Sequence, residues 1–222
     1  MLKTVLTFAL GKGAVFFVPL LASVVVSSVH YGHLEFALAL GAPFAATFSL
    51  GLPSSYAFFE LKQNQPEYTP VIQTLFSLVV AMTLLLGLGS CVKASMMSRF
   101  TFGFFVAAAL IAQSGRSSYL KMSAQPARAA LLDGGIYYCI LAALIAVLVG
   151  KGEEHFVTFA CIALVCWALS LSAKSFARLT SLRGQRRVIR EILRYGSSVF
   201  LAGAVTSTAA NTAKLAAGRF LG

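Results

Sequence analysis

Residues 70–90, PVIQTLFSLVVAMTLLLGLGS, run for twenty-one positions without a charge and without alternating polarity. A helix rising about 1.5 Å per residue needs roughly 20 mostly apolar residues to cross a hydrocarbon core about 30 Å thick. A membrane strand would alternate between lipid and lumen, and only a closed barrel would tolerate it. Working outward, similar runs predict spans near Ala14 to Val29, Leu34 to Glu60, Phe100 to Ser118, Ala130 to Gly150 and His155 to Ala173. A seventh, Tyr195 to the C-terminus, carries Ser, Thr, Asn and Ala where the others carry Leu and Phe, so it needs protein neighbours. The expected fold class is all-α: a polytopic transmembrane helix bundle of about six to seven spans in a chain 58% hydrophobic and only 11% charged.

The net charge of +11 is distributed unevenly along this ladder. Short cytoplasmic loops retain Lys and Arg. One side receives Lys3, Lys12, Lys62, Arg116, Lys121, Arg128, Lys174, Arg178, Arg183, Arg186, Arg187, Arg190 and Arg194; the other receives Lys93, Arg99, Lys151, Lys214 and Arg219. Thirteen against five predicts a cytoplasmic N-terminus, with the turns around Gly32, Lys93 and Glu153 outside. The run Arg183 to Arg194 reads as an interfacial connector, its residues each drawn to anionic lipid headgroups by about 1 kcal/mol. Membrane lipids are thus the expected partners. Nucleic acid is not, because the aromatics sit inside the spans and no exposed domain carries a basic patch. Leu2 to Leu10 is short for a secretory signal and full-length spans follow, so a retained first helix is expected.

Hydrolytic or transfer chemistry needs a nucleophile with a base, or two carboxylates across a cleft. The seven acidic residues, Glu35, Glu60, Glu67, Asp133, Glu153, Glu154 and Glu191, all read as loop or span-end positions. With no zinc-protease, nucleophile-elbow or phosphate-loop motif among them, neither an enzyme nor a cofactor is expected. No carboxylate is expected at mid-span either, so no ion-coupling site is visible. Cys91, Cys139, Cys161 and Cys166 lack metal spacing and read as small buried hydrophobes. His30, His33 and Glu35 would share a face only on a continuous helix, and Gly32 is expected to interrupt them at a tight outer turn, so no metal site is expected.

Helix shape is written in the prolines. Pro19 in the first span, and Pro43 and Pro53 in the second, each remove a backbone donor, which a bilayer tolerates only where protein or cavity water satisfies the freed carbonyls. Gly87, Gly89 and the run Ala107 to Ala109 permit close helix packing. Gly115 to Asp133 is expected to extend two helices as a basic amphipathic elbow bent at Pro126.

Tyr31-Gly32, the run Leu34 to Leu50 and then Gly51-Leu52-Pro53-Ser54 resemble the signature joining the first two helices of bacterial polysaccharide flippases. These are the O-antigen and capsule exporters of the multidrug/oligosaccharidyl-lipid/polysaccharide superfamily. Ala112-Gln113-Ser114-Gly115-Arg116 through Ala130 is similar to that family's joint between helices four and five, and Leu193-Arg194-Tyr195-Gly196 to the opening of its seventh helix. The resemblance implies one lobe of a two-lobed transporter in the bacterial inner membrane, moving an undecaprenyl-diphosphate-linked oligosaccharide by alternating access. It divides the chain into a six-helix lobe at 1–182, a basic cytoplasmic connector at 183–194, and a seventh helix at 195–222 that starts a truncated second lobe. The first two helices and the seventh would face the cleft. Lys214 would meet an anionic headgroup, and Arg116 and Arg128 would gather substrate at the cytoplasmic mouth. The family's Asp-Arg pair near the end of the seventh helix reads Ala213-Lys214 here. Family members have about twelve or more helices, so a homodimer or a second-half partner chain would complete the cleft. The alternatives are a cation-coupled drug exporter and a truncated, inactive membrane scaffold.

Overall fold

The structure is a computed structural model that describes residues 2–91, 99–176, 182 and 184–220. The chain is all-helical, and among the described residues there is no strand. In order come α1 (Leu2–Val25), α2 (Ser28–Phe48), α3 (Leu52–Tyr56) widening into a π-helical segment (Ala57–Lys62), α4 (Tyr68–Cys91) and α5 (Arg99–Met122). They are followed by α6 (Pro126–Asp133), α7 (Gly135–Ala146), a short turn of 3-10 helix (Glu153–His155), α8 (Phe156–Phe176) and α9 (Arg186–Phe220).

Among the described residues three helices are long and apolar enough to cross a membrane: Val5–Val25, Tyr68–Ser90 and Glu153–Ala173. Two bent pairs raise the number to five if each is one span: Ser28–Phe48 with Leu52–Glu60 at 47°, and Pro126–Asp133 with Gly135–Gly150 at 44°. The expected fourth and seventh spans are helices, α5 and α9, but neither is apolar enough to be counted with these. In α5 the second half carries Gln113, Ser114, Arg116, Ser117 and Ser118; in α9 the first turns are basic and the rest is rich in Ser, Thr and Ala.

That polarity is tolerable in α5 because α5 is the central helix. Phe102, Val106, the run Ala107 to Ala109 and Ile111 are fully buried against α2, α4 and α8. Phe44 of α2 stacks on Phe104 at 5.1 Å, and a Cβ on Gly87 of α4 would press into the Phe105 ring at 2.7 Å. Gly89, by contrast, faces open space, so only one of the two glycines serves close packing.

Three turns differ from expectation. The first helix begins at Leu2 and passes straight through Gly11, where a Cβ would run into the Ala130 carbonyl of α6. The turn expected at Gly32 falls at Val26 and Ser27 instead, and α2 continues unbroken through His30, Gly32, His33 and Glu35. In the second span the bend lies not at Pro43, which is buried inside α2, but at Leu50 and Gly51, both with positive φ (49° and 70°). Pro53 sits in the first turn of α3, where its missing N–H has no helical partner to lose. Pro19 likewise lies within a continuous α1.

Hydrogen bonds define the two ends of the bundle. At one, the Ser27 amide donates to Glu153 Oε2 at 3.1 Å, joining the α1–α2 turn to the start of α8. At the other, the Tyr68 hydroxyl donates to Glu191, which also accepts from Arg187 at 3.0 Å, joining the start of α4 to the start of α9. Helix α8, 21 residues long, separates these ends by about 30 Å.

The exterior between the ends is apolar. Phe16, Phe17, Leu20 and Val24 of α1, Met82 and Leu85 of α4, and Ile162 of α8 are all exposed, Val24 by 84%. Of the cysteines, Cys139 is buried and Cys161 half-buried, but Cys166 lies on this exterior, contrary to the expectation of burial.

Candidate functional site

A cleft of about 550 Å³, its lining mostly apolar with a few polar groups, opens between α1, α2, α5, α7 and α9. Val15, Phe16, Pro19 and Leu20 form one wall, and Tyr31, Glu35, Gln113, Asp133, Tyr137 and Asn211 supply its polar groups. The volume lies in the range of pockets that hold small molecules. The α2 turn at Ser27 sets the depth of Glu35: seven positions past Ser28, it lies about 10 Å into the helix. The Tyr31 hydroxyl, one turn earlier, donates to Glu35 Oε1 at 3.2 Å. Asp133 closes α6 at the 44° bend, where Gly134 and Gly135 let the chain pass close to Gly11 and Trp167.

Gln113 and Asp133 hold the floor together. Gln113 is 94% buried, donates through Nε2 to the Asp133 carbonyl at 2.8 Å, and leaves Oε1 without a protein partner. The Asp133 carboxylate meets Lys121 at 3.2 Å. Two carboxylates therefore line the cleft, and among the described side chains no basic residue lines it. This corrects the reading that every acidic residue sits in a loop or at a span end: once the turn moves from Gly32 to Ser27, Glu35 is carried into the helix.

A second, smaller polar cavity of about 40 Å³ lies on the other side of α5, lined by Tyr56, Gln73, Ser77, Arg116, Tyr119 and Ser172 among others. The Arg116 guanidinium lies over the Tyr119 ring at 5.3 Å. Ser77 donates to the Gln73 carbonyl at 3.0 Å, and Tyr56, Ser77 and Ser172 are each buried.

Of the three basic residues expected to bind substrate, Arg116 and Arg128 line different parts of the molecule. Arg116 lines the small cavity; Arg128 is exposed in the first turn of α6, donating to Gln125 Oε1 at 2.7 Å. Lys214 belongs to α9, with its side chain outside the described residues. Helices α1, α2 and α9 each line the larger cavity, through Phe16, Glu35 and Asn211. Pro19 lines it too, whereas Pro43 and Pro53 do not.

Helix α9 reaches the bundle by a close backbone crossing and an aromatic clamp. A Cβ on Gly51 would run into the Gly196 carbonyl, and one on Gly196 into the Leu50 carbonyl. Beside the crossing Tyr195 stacks on Phe58 at 4.0 Å, and Phe59 stacks on Tyr68 at 4.5 Å. The helix starts at Arg186, inside the basic stretch, and passes through Tyr195 without a break. The Tyr68 hydroxyl first, and then Arg187, hold the Glu191 carboxyl below the usual carboxylate range.

No family model matches the chain, and no curated protein or solved structure is significantly similar to it.

Proposed function

We propose that the chain is an integral membrane transporter of the polysaccharide-flippase type, moving a lipid-linked oligosaccharide between leaflets by alternating access. One observation carries the reading: Phe, Leu and Val are exposed along the outside of the bundle, while a cleft of about 550 Å³ between its helices is lined in part by Tyr31, Glu35, Gln113 and Asn211. Soluble monomers rarely expose large contiguous apolar surface, whereas a lipid-embedded carrier requires it together with a hydrated path. In this reading α5 crosses the membrane sheltered by its neighbours and α9, exposed along much of its length, crosses against the missing half, completing six to seven spans. The end bearing Lys62, Lys121 and Arg186 faces the cytoplasm of a bacterial inner membrane, and the N-terminus with it. The substrate is of the undecaprenyl-diphosphate type, gathered by Arg116, Arg128 and Lys214, and the opposite wall of the cleft comes from a second copy or a partner chain.

The test is complementation of a bacterial strain lacking its polysaccharide flippase. Restored surface polysaccharide supports the proposal; its absence, with the protein present in the membrane, counts against it. A second reading, a cation-coupled exporter, is favoured by Glu35 and Asp133 in the cleft. Drug resistance that depends on a sodium or proton gradient and is lost in Glu35→Gln would select it, since an intramembrane carboxylate is the usual coupling group.

A further inference from the structure

Among the described residues, the small cavity beside α5 holds a charge and no carboxylate in its lining. Arg116 is half-buried, and among the described residues its guanidinium forms no ion pair with a carboxylate. A buried or lipid-flanked cation is stable only when paired or hydrogen-bonded, and one aromatic face at 5.3 Å does that in part. The remaining lining is rich in hydrogen-bonding groups: the hydroxyls of Tyr56, Ser77 and Ser172 and the amide of Gln73. The cavity's depth is fixed by the helices. Arg116 lies six positions before the end of α5, Gln73 five after the start of α4, and Ser172 four before the end of α8. All three are thus about 6–9 Å inside the end that carries the basic residues. In the membrane reading, helices of 21–24 residues slightly exceed a hydrocarbon core about 30 Å thick, which puts this depth near the headgroup boundary.

We propose that this cavity is an oxyanion site that takes one phosphate group, with Arg116 as the charge partner and the hydroxyls of Ser172 and Tyr56 beside it. Arginine suits phosphate because its planar fork offers several donors at once. The site rests on the membrane reading above but not on what cargo moves. The phosphate has two sources: a lipid or lipid-linked headgroup entering from the bilayer, or a water-borne phosphate entering from the basic end.

The experiment uses the full chain in dodecyl maltoside, a detergent without phosphate. Native mass spectrometry reads retained phosphatidylglycerol, and thermal unfolding is followed with and without inorganic pyrophosphate. Wild type is expected to retain one phosphatidylglycerol per chain or to be stabilised by pyrophosphate, the first assigning a headgroup and the second a water-borne ligand. Arg116→Gln is expected to weaken retention about tenfold or more, the scale of one lost charge-assisted hydrogen bond. Ala112→Leu, which keeps the arginine but fills the cavity, is expected to do the same, while Arg190→Gln on α9 is expected to leave retention unchanged. Circular dichroism confirms that each variant is folded. Retention of both ligands by folded Ala112→Leu and Arg116→Gln at wild-type strength overturns the site, as does retention of neither ligand by wild type. Loss of complementation with Arg116-dependent retention intact would instead refute the cargo and leave the site standing.

Discussion

Replacing Gly196 by alanine puts a methyl group where α9 crosses the bend between α2 and α3. The crossing is backbone on backbone: the added Cβ would run into the Leu50 carbonyl, which is held in place by the left-handed turn at Leu50 and Gly51. Helix propensity alone would favour alanine by about 1 kcal/mol. Overpacking against a carbonyl that has little room to retreat costs about 1–3 kcal/mol, so the expected net loss is up to about 2 kcal/mol. Gly203 is a control on the same helix, because a Cβ there meets nothing within 4 Å. Gly203→Ala is expected to be neutral or stabilising by up to about 1 kcal/mol. The two alanines should therefore differ by about 1–3 kcal/mol, with opposite signs, in unfolding by sodium dodecyl sulfate from dodecyl maltoside micelles. Displacement of α9 should also separate Tyr195 from Phe58 and expose the chain near Gly184 to protease. Equal stability of Gly196→Ala and Gly203→Ala would refute the crossing. Gly51→Ala is expected to lose more than Gly196→Ala, since the left-handed backbone adds about 1–2 kcal/mol of its own.

Glu191 gives the docking of α9 a pH dependence. Its folded carboxyl is held low by Tyr68 and Arg187, so the stabilisation is present above the unfolded value and disappears as pH falls through the lowered folded one. A melting-temperature series should decline only below the ordinary carboxylate range, and Glu191→Gln should flatten that limb; an unchanged limb in the variant contradicts it. Phe102→Ala removes a fully buried ring at the centre of α5 and should cost about 3–5 kcal/mol in the same unfolding assay, against under 1 kcal/mol if α5 lay at the periphery. Lys121→Ala breaks the ion pair with Asp133, but with the lysine side chain 57% exposed the loss should stay below about 1 kcal/mol.

Hydrophobic length was enough to read the helices, because residues 70–90 admit no other structure in lipid, and α4 covers them as Tyr68–Cys91. Where the chain turns was harder. Gly32 looks like a turn residue, yet nothing opposes a helix there, and Ser27 ends up at the corner because its amide finds Glu153 more than a hundred positions away. That one displacement hid Glu35, whose placement in the cleft follows from the register of α2. Asp133 was hidden differently: Pro126 reads as the bend of an elbow, and the Gly134-Gly135 bend that brings Asp133 to the cleft depends on contacts with Gly11 and Trp167. Gln113 and Asn211 carried no local signal at all, being polar residues of ordinary type whose meaning comes from which helices surround them. Arg116 was a candidate only through the resemblance, while its separation from Arg128 is a consequence of the turn at Ser123 to Gln125.

Accessibility of single cysteines in intact cells tests the membrane-spanning bundle most directly. In a background without Cys91, Cys139, Cys161 and Cys166, Arg186→Cys and Glu154→Cys mark the two ends that α8 separates. The account predicts that a membrane-impermeant maleimide labels Glu154→Cys from outside and reaches Arg186→Cys only after the membrane is opened. Labelling of both positions from the same face, or of neither after lysis, would contradict it.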